Sequence, residues 1–284
     1  MSSKIYFENN TKSLSRYIVR AVSEAYRFIH PRGAERNLRK LLLTPQSRPP
    51  KTVPDNISAE SIETDYGVLR CYGIGEGPII LFVHGWSGSG AQFFDLMQTV
   101  VAMGYRAVTF DHYKHGHSKG VENNYPLFVK TIEYVADKLS QQGTLKCIVS
   151  HSMGSSATLD VFKEAQLPHF LIAPLFNFYG ELETRITGAG ISKIFFEKII
   201  SSIEEDYEMS VKDRNPLNDI SNINEAIYII HSRDDKFALY DYSEEVAQKY
   251  DNIALETLNG IGHMRIVGSD ETQAALVSFL KEKI

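Results

Sequence analysis

Residues 146–165 read KCIVSHSMGSSATLDVFKEA, a stretch that predicts a strand, a tight turn at a serine and a helix. The apolar run before Ser150 predicts a short buried strand, and the residues after Ser152 predict a helix. A serine between a strand and a helix, flanked by small residues, is typical of a nucleophile elbow, the tight turn that exposes a serine hydroxyl at the edge of a sheet. The usual pattern is Gly-x-Ser-x-Gly, and here Ser150 replaces the first glycine. An ordinary strand-to-helix turn would explain this segment equally well on its own.

The chain from residue 60 onward alternates short apolar strands with amphipathic helices. A hairpin is predicted around Asp65-Tyr66-Gly67, between strands at 61–64 and 68–72. Further strands are predicted at 79–83, 106–110, 146–150, 169–173, 226–231 and 253–258, and helices at 91–103, 128–139, 155–165, 240–250 and 270–283. This alternation predicts an α/β fold with a mostly parallel central sheet covered by helices on both faces.

Two segments stand outside this alternation. Residues 176–222 contain a helical pattern and no clear strand, which predicts a small helical lid inserted into a domain that spans 56–284; the apolar face of its helix is predicted from Ile191, Ile194, Phe195, Lys198 and Ile199. Residues 1–55 are predicted to form an N-terminal helical extension. It has one amphipathic helix that stops at Pro31 and Gly33, a second helix at about 34–43, and a proline-rich linker, TPQSRPPKTVP.

The charge is unevenly distributed along the 284 residues, whose formal net charge is −5. Residues 1–51 carry eleven Lys or Arg and three acidic residues, a net charge of +8 that leaves −13 for the remainder. One interpretation is a solvated helix face that docks on the acidic body, and we favour it. The alternative is contact between this basic helix and an anionic membrane surface. Nothing in this balance indicates a nucleic-acid partner.

The location of the protein is predicted from its cysteines and its apolar runs. Cys71 and Cys147 both lie in apolar, strand-like runs, and two cysteines are too few for a disulfide framework. No apolar run approaches the ~20 residues of a membrane span, and the first residues, MSSKIYFENN, contain no apolar signal core. We therefore expect a cytoplasmic protein. The sequence does not indicate its oligomeric state.

Two further segments place acid and base groups after predicted strands. His263 follows Gly260-Ile261-Gly262 and the last strand, at the edge where ligands collect in open α/β sheets. Asp234 and Asp235 follow the strand at 226–231, and a carboxylate there could orient the imidazole of His263. We assign Asp235, with Asp234 as the alternative, because its spacing from the strand end fits better. The chain order Ser152, Asp235, His263 is one that serine hydrolases use.

Five segments together resemble the α/β-hydrolase fold of serine esterases: VHGWSGSGAQF, FDHYKHGHSKG, VSHSMGSSAT, IIHSRDDKF and NGIGHMRIV. The resemblance extends from about residue 60 to the C-terminus, and the HGW start and GIGHMRI ending are similar to a bacterial branch of these hydrolases. Residues 111–118 resemble a D-x-x-G-x-G-x-S loop that is usually structural, with Lys114 in place of the first glycine. His112, His115 and His117 lack supporting ligands at convincing spacing, so we expect no metal site.

The resemblance implies a serine-esterase mechanism without any cofactor. Ser152 would attack an acyl carbonyl while His263 takes its proton, and water activated by His263 would then release the acyl group. In hydrolases with such an elbow, the loop after the strand at 79–83 supplies one oxyanion donor. We assign it to the backbone N–H of Trp86 and the second to the N–H of Met153.

The substrate is predicted only as a class. Trp86, Phe176 and Phe195 are candidates to line an apolar acyl pocket under the lid, although such aromatic residues are also typical of a core. We expect a hydrolase of small-molecule carboxylic esters with small to medium acyl groups. A thioesterase or lipase-like acyl hydrolase would use the same three side chains. A non-catalytic binding protein on the same fold is the alternative of a different kind.

Overall fold

The computed structural model describes residues 14–46 and 51–284, which fold around one nine-stranded sheet. Residues 1–13 of the predicted extension, and 47–50 of the predicted linker, lie outside the described residues. The strands are β1 (Ser58–Thr64), β2 (Gly67–Ile74), β3 (Ile79–Val83), β4 (Arg106–Asp111), β5 (Lys119–Gly120), β6 (Leu145–His151), β7 (His169–Ile172), β8 (Ile227–Ser232) and β9 (Ile253–Leu258). The helices are α1 (Leu14–Ile29), α2 (Pro31–Leu43), α3 (Phe94–Val101), α4 (Tyr125–Ser140), α5 (Met153–Val161), α6 (Phe178–Gly188), α7 (Lys193–Tyr207), α8 (Pro216–Asp219), α9 (Tyr240–Lys249) and α10 (Asp270–Lys283).

The sheet is mostly parallel, as the alternating sequence predicted. Its strand order is β1-β2-β4-β3-β6-β7-β8-β9, with β5 beside β2. The hairpin β1–β2 and the pair β2–β4 are antiparallel. Every pair from β4–β3 through β8–β9 is parallel. Parallel neighbours bring the carboxyl ends of β3, β6, β8 and β9 to one edge, where the predicted site residues follow.

Helices cover both faces of the sheet, because alternate side chains of each buried strand point to opposite sides. In β3, Ile79, Leu81 and Val83 pack with α4, α5 and α7. Ile80 and Phe82 of the same strand pack with α3 and α10 on the other face. All of these β3 side chains are fully buried. The central strand is therefore apolar throughout rather than alternating with polar residues, as expected for a strand covered on both sides.

The helical segment α6–α8 lies between β7 and β8, and α7 carries most of its apolar side chains. The buried face of α7 is formed by Phe195, Phe196, Ile199, Ile200 and Ile203. Two of the residues whose spacing predicted this helix do not lie on its buried face: Ile194 is 69% exposed, and Lys198 forms an ion pair with Glu35 of α2 at 2.8 Å. Ile191, also used for that prediction, precedes the helix, which begins at Lys193. The adjacent apolar residues 194–196 fit more than one buried face.

Several helix boundaries differ from the sequence prediction, and α4 begins at Tyr125 rather than at residue 128. The second helix starts at Pro31 rather than near residue 34, because proline has no backbone N–H to lose at the first helical position. A 3₁₀ turn at Gly90–Phe93 precedes α3, so the predicted helix 91–103 is shorter. Helix α5 starts at Met153, directly after Ser152, and ends at Val161.

The loop after β4 is fixed by the buried carboxylate of Asp111. One carboxylate oxygen accepts the N–H of Gly90 at 2.7 Å. The other accepts the Tyr72 hydroxyl at 2.7 Å and the N–H of His117 at 2.8 Å. A Cβ at Gly116 would lie within 2.6 Å of this carboxylate, at 2.1 Å from one oxygen and 2.5 Å from the other. The motif that the sequence marked as structural therefore ties β2, β4 and the turn before α3 together.

In the part of the chain that the structure describes, no helix is long and apolar enough to cross a membrane.

Replacing Asp111 with alanine is expected to lower the free energy of unfolding by about 3 kcal/mol, because it leaves the buried N–H of Gly90, the buried hydroxyl of Tyr72 and the part-buried N–H of His117 without an acceptor. Urea unfolding followed by circular dichroism measures this change. Asp137→Ala, on the exposed side of α4, serves as the control and is expected to stay within about 0.5 kcal/mol of the parent protein. Equal stability of the two variants would contradict this role for Asp111.

Candidate active site

Ser152 occupies a strained turn between β6 and α5. Its backbone has φ 56° and ψ −127°, a combination that side chains other than glycine rarely adopt. Such a conformation costs about 1–3 kcal/mol and persists only where the surroundings enforce it. The Ser152 N–H donates to the Ile172 carbonyl of β7 at 3.1 Å, which anchors the turn to the sheet. The side chain remains partly exposed, as a nucleophile requires.

Close backbone packing on both sides of the turn depends on two glycines. A Cβ at Gly154 would lie 2.7 Å from the carbonyl oxygens of both Val83 and His84. A Cβ at Gly85 would lie 2.8 Å from the Cβ of Ser152. Ser150, which stands where the usual motif has glycine, is fully buried, and its hydroxyl donates to the Ser155 hydroxyl at 3.1 Å. The departure from the motif is therefore accommodated by a hydrogen bond.

Ser152, His263 and Asp235 form a continuous hydrogen-bonded chain. The Ser152 hydroxyl lies 2.9 Å from Nε2 of His263. Nδ1 of the same ring lies 2.6 Å from Oδ2 of Asp235. A carboxylate can only accept, so Nδ1 carries the proton and Nε2 is left as the acceptor for the serine. Ser152 and His263, 111 positions apart in the sequence, thus converge with Asp235 at one edge of the sheet, in the arrangement that activates a serine for attack.

The carboxylate of Asp235 is held in its charged form. Its side chain is fully buried, and it accepts four hydrogen bonds: from the rings of His263 and His231 and from the N–H groups of Phe237 and Ala238. Burial acts to raise the pKa of Asp235, but the hydrogen bonds from His231 and His263 outweigh it and hold the pKa well below its usual value. Asp235 is therefore ionised at any pH at which His263 can act as a base.

Asp234, the alternative acid, points elsewhere. Its Oδ1 accepts the Ser232 hydroxyl at 2.6 Å and the N–H of Gly260 at 2.9 Å. The hydrogen bond from Ser232 is the main cause of the lowered pKa of Asp234. This residue links the loops after β8 and β9 and so supports the loop that carries His263.

Two buried histidines around the triad were not predicted. His231 lies between Asp235 and Ser243. Its Nε2 is 3.2 Å from the carboxylate of Asp235, and its Nδ1 is 2.8 Å from the hydroxyl of Ser243. His151 lies beside His263, and its Nε2 donates to the His263 carbonyl at 3.0 Å. Burial lowers the pKa of His151 to about 3, so it acts as a neutral support. The adjacency of His151 to the nucleophile was the only signal in the sequence; His231 gave none beyond its place at a strand end.

The predicted oxyanion donors lie on two segments that are in contact. The N–H of Met153 belongs to the first turn of α5, where backbone N–H groups have no intrahelical acceptor. A Cβ at Gly85, next to Trp86, would lie 3.2 Å from this nitrogen. The turn that contains Trp86 is closed by the N–H of Gly88, which donates to the Gly85 carbonyl at 3.0 Å. The assignment of Trp86 and Met153 as donors stays a prediction.

Histidines of the loops after β3 and β4 hold the segment around Trp86 in place. Nε2 of His115 accepts the N–H of Ser87 at 3.0 Å, and Nε2 of His84 accepts the N–H of His112 at 3.1 Å. Burial lowers the pKa of His84 to about 4 and that of His115 to about 3, so both rings stay neutral and can accept. Within residues 14–46 and 51–284, no group of three His, Cys, Asp or Glu side chains converges as a metal site requires.

The aromatic residues predicted to contact an acyl group differ in exposure. Trp86 is half-buried and stacks on Phe128 with ring centroids 6.1 Å apart. Phe176 has no exposed surface, and Phe195 is 3% exposed in the core beneath the lid. Trp86 is the one of these three with surface available to a ligand. Phe176 and Phe195 pack against core side chains. Their role in substrate binding stays a prediction.

The lid helix α6 brings an unexpected ionisable pair toward the acid loop. Glu181 is 3% exposed and lies 3.7 Å from the guanidinium of Arg185. Burial raises the pKa of Glu181 to about 8 and lowers the pKa of Arg185, and both groups feel the charge of Asp235. Their i, i+4 spacing on a helix was visible in the sequence, but only the fold shows that they are buried.

Substitution of Gly154 by alanine is expected to lower the free energy of unfolding by about 2–3 kcal/mol, since the new methyl group would meet two backbone oxygens that cannot retreat. Thermal unfolding measured by calorimetry tests this. Gly188→Ala is the matched control, because a Cβ at Gly188 would meet nothing within 4 Å. That variant is expected to be unchanged or stabilised by up to ~1 kcal/mol. The expectation fails if both substitutions are equally tolerated.

Comparisons with known proteins agree with this architecture. A family model described as the alpha/beta hydrolase fold matches residues 78–159, from the start of β3 through the turn at Ser152 into α5. Non-heme chloroperoxidase CPO-A1 of Kitasatospora aureofaciens is 33% identical over 82 residues, which are 28% of this chain. The match spans 29% of that relative's length.

Solved structures extend the likeness over most of the chain. The esterase Pf2001 of Pyrococcus furiosus aligns with a TM-score of 0.62 and 16% identity, covering 85% of this chain and 98% of its own. A membrane phospholipase A, described as a bacterial virulence factor, aligns with a TM-score of 0.61 and 14% identity, covering 94% of this chain and 92% of its own. With its parallel sheet, its elbow and these likenesses, the chain is an α/β-hydrolase-fold protein, as its motifs predicted.

Proposed function

We propose that the protein is a serine hydrolase that cleaves carboxylic esters of small to medium acyl groups through an acyl-enzyme intermediate. One observation carries the proposal: the hydroxyl of Ser152 lies 2.9 Å from Nε2 of His263, whose Nδ1 lies 2.6 Å from Asp235. A serine, an imidazole and a buried carboxylate in this order form the catalytic unit of serine hydrolases. No cofactor is needed for this chemistry.

The first half of the reaction forms the acyl-enzyme. The Ser152 oxygen attacks the ester carbonyl carbon while Nε2 of His263 takes the hydroxyl proton. The resulting imidazolium is stabilised by the ionised Asp235, whose lowered pKa keeps it negative. His263 then gives its proton to the leaving alkoxide oxygen, and the alcohol departs. The acyl group remains bound to the serine oxygen.

The second half releases the acid and restores the serine. His263 takes a proton from a water molecule, whose oxygen attacks the acyl carbon, and the Ser152 oxygen leaves with the proton that His263 returns. In both halves a tetrahedral intermediate carries a negative oxygen. Backbone N–H groups of Trp86 and Met153 are our candidates to stabilise it, a contribution worth about 3–4 kcal/mol per donor in other enzymes.

The departures from the family motif do not weaken the proposal. Ser150 hydrogen-bonds within the elbow, and Lys114 belongs to the loop after β4, outside the hydrogen-bonded chain of Ser152, His263 and Asp235. A protein that had lost activity would be free to lose the four acceptor contacts around Asp235, yet all are present. The esterase Pf2001 and the membrane phospholipase A carry names that denote ester cleavage. These names support an ester substrate over a purely binding role.

Adjacent aspartates provide a matched test of the acid. Asp235→Asn is expected to lower kcat/KM for p-nitrophenyl butyrate by about 10⁴-fold, because an amide donor facing Nδ1 of His263 favours the wrong tautomer. Asp234→Asn changes the same group one residue away, outside the hydrogen-bonded chain, and is expected to change kcat/KM by less than tenfold. A larger loss for Asp234→Asn would transfer the acid role to that residue.

The nucleophile and the bond class are tested together with two substrate panels. A fluorophosphonate probe is expected to modify Ser152, located by peptide mass spectrometry, and Ser152→Ala is expected to abolish both labelling and turnover of p-nitrophenyl acetate through octanoate. Ser140→Ala, on the exposed end of α4, is the control. Acyl-CoA thioesters of equal chain length form the second panel. Faster turnover of thioesters would reassign the substrate, and absence of both labelling and turnover would refute the enzyme.

A further inference from the structure

Helix α1 exposes an apolar face that nothing in the described chain covers. Five large apolar side chains on it are more than half exposed: Tyr17 63%, Ile18 54%, Val22 62%, Phe28 90% and Ile29 68%. Helical spacing places these positions on one side of the helix. Isolated exposed apolar residues are common on proteins, but a continuous row along a whole helix marks a surface that binds something.

The sequence of α1 is basic, with arginine at positions 16, 20 and 27. Arg20 is exposed and lies, by helical spacing, on the side of the helix away from the apolar row. An apolar face and an arginine-bearing face on one helix are typical of helices that lie in the interface of a membrane. In a helix docked on its own protein, the apolar face would be the buried one, and here it is exposed. The docking interpretation from the sequence is therefore wrong for α1.

Helix α2, in contrast, does dock on the body. Its Ala34, Leu38 and Leu43 are buried, and Arg39 binds Glu122 at 2.8 Å and Asp206 at 2.5 Å. The ion pairs of Arg39 with Asp206 and of Glu35 with Lys198 join α2 to α7 of the lid. The docking interpretation of the basic extension holds for this second helix.

A cavity of about 510 Å³ lies beside α2, and its cationic lining is largely unpaired. Arg32, Arg36 and Lys40 of α2 and Lys114 of the loop after β4 line it. Among the residues that the structure describes, no acidic side chain forms an ion pair with any of these four. The lining acids Glu35 and Glu122 are bound to Lys198 and Arg39. The cavity therefore offers net positive charge to an anionic ligand.

Lys114 takes part in this cluster at a backbone position that does not favour lysine. Its φ is 57°, in the left-handed region, where the related sequence motif has glycine. A side chain other than glycine in this conformation costs about 1 kcal/mol. The lysine thus replaces the residue that the backbone prefers and adds a cation to the cavity.

We propose that α1 lies on an anionic phospholipid membrane, with its apolar face in the acyl–headgroup boundary and lipid phosphates bound by Arg32, Arg36, Lys40 and Lys114. Burial of the apolar row supplies the hydrophobic part of the binding, and the net charge of +8 over residues 1–51 supplies the attraction to anionic lipid. A second copy of this chain fits less well, because pairing of two such extensions would bring like charges together.

Vesicle sedimentation of the full-length protein tests the proposal. The protein is expected to bind vesicles of 70% phosphatidylcholine and 30% phosphatidylglycerol, to bind pure phosphatidylcholine at least tenfold more weakly, and to lose anionic binding as NaCl is raised from 50 to 500 mM. The catalytic serine is not involved, so Ser152→Ala is expected to bind as the parent does. Absence of binding, or equal binding to both vesicles, would overturn the proposal.

Variants with matched controls separate the two parts of the surface. Ile18→Ser with Val22→Ser is expected to weaken binding at least tenfold. Ile194→Ser, at an equally exposed position on α7, is expected to leave it unchanged. Lys114→Gly relieves the backbone strain, so it preserves the fold, and is expected to weaken anionic binding about fivefold. Lys146→Gln, an exposed lysine on β6, is its control. Equal effects of variant and control in either pair would overturn the assignment.

Analytical ultracentrifugation without vesicles tests whether a second copy of the chain, rather than a membrane, covers α1. A monomer is expected at micromolar concentration. A dimer that the Ile18→Ser and Val22→Ser changes dissociate, together with absence of vesicle binding, would show that a second copy covers α1 and would refute the membrane proposal.

Discussion

The strained backbone of Ser152 is the constraint on which the rest of the site depends. A φ of 56° with ψ of −127° is maintained because β6 is fixed between β3 and β7 while α5 starts at the next residue. Only glycine at 85 and 154 lets the neighbouring backbones approach closely enough to enforce this turn. The same approach brings the turn that contains Trp86 against the N–H of Met153. One unfavourable conformation is therefore linked both to the exposure of the Ser152 hydroxyl and to the contact between the two backbone segments that carry the candidate oxyanion donors.

Neutral histidines form the support around this turn. His84, His115 and His151 are buried, and burial lowers the pKa of each to about 3 or 4, so that one ring nitrogen accepts while the other donates. A lysine or arginine could not accept in these positions. Imidazole rings thus satisfy backbone groups in irregular loops without adding charge near His263. Among the described residues, Asp235 is the charged group that hydrogen-bonds to the ring of His263, and its own hydrogen bonds stabilise its negative form.

The fold and the triad could be predicted because parallel strands align their carboxyl ends. Ser152, Asp235 and His263 each follow a strand, so strand prediction alone brought them to one edge. The predictions failed where tertiary contacts decide among local alternatives. Adjacent apolar residues in α7 fit more than one facing direction, and Phe196 rather than Ile194 is buried. The support of Asp235 by His231 depends on ring orientation, which has no sequence pattern.

The cations of the basic extension differ in whether they form ion pairs. A paired cation stabilises the fold, and an unpaired one remains available to a ligand. Arg39 is bound by two acids and holds α2 on the lid, whereas the four other cations that line the cavity, Lys114 among them, form no ion pair with the described residues. This cluster is close in the structure to the turn that contains Trp86. Gln46, after α2, donates its N–H to the Ser87 hydroxyl at 2.9 Å, and the Ser87 N–H donates to His115, the residue after Lys114. If both proposals hold, a lipid surface bound by the extension would lie beside the loop that stabilises the reacting oxygen, so membrane binding and ester cleavage would share one face of the molecule.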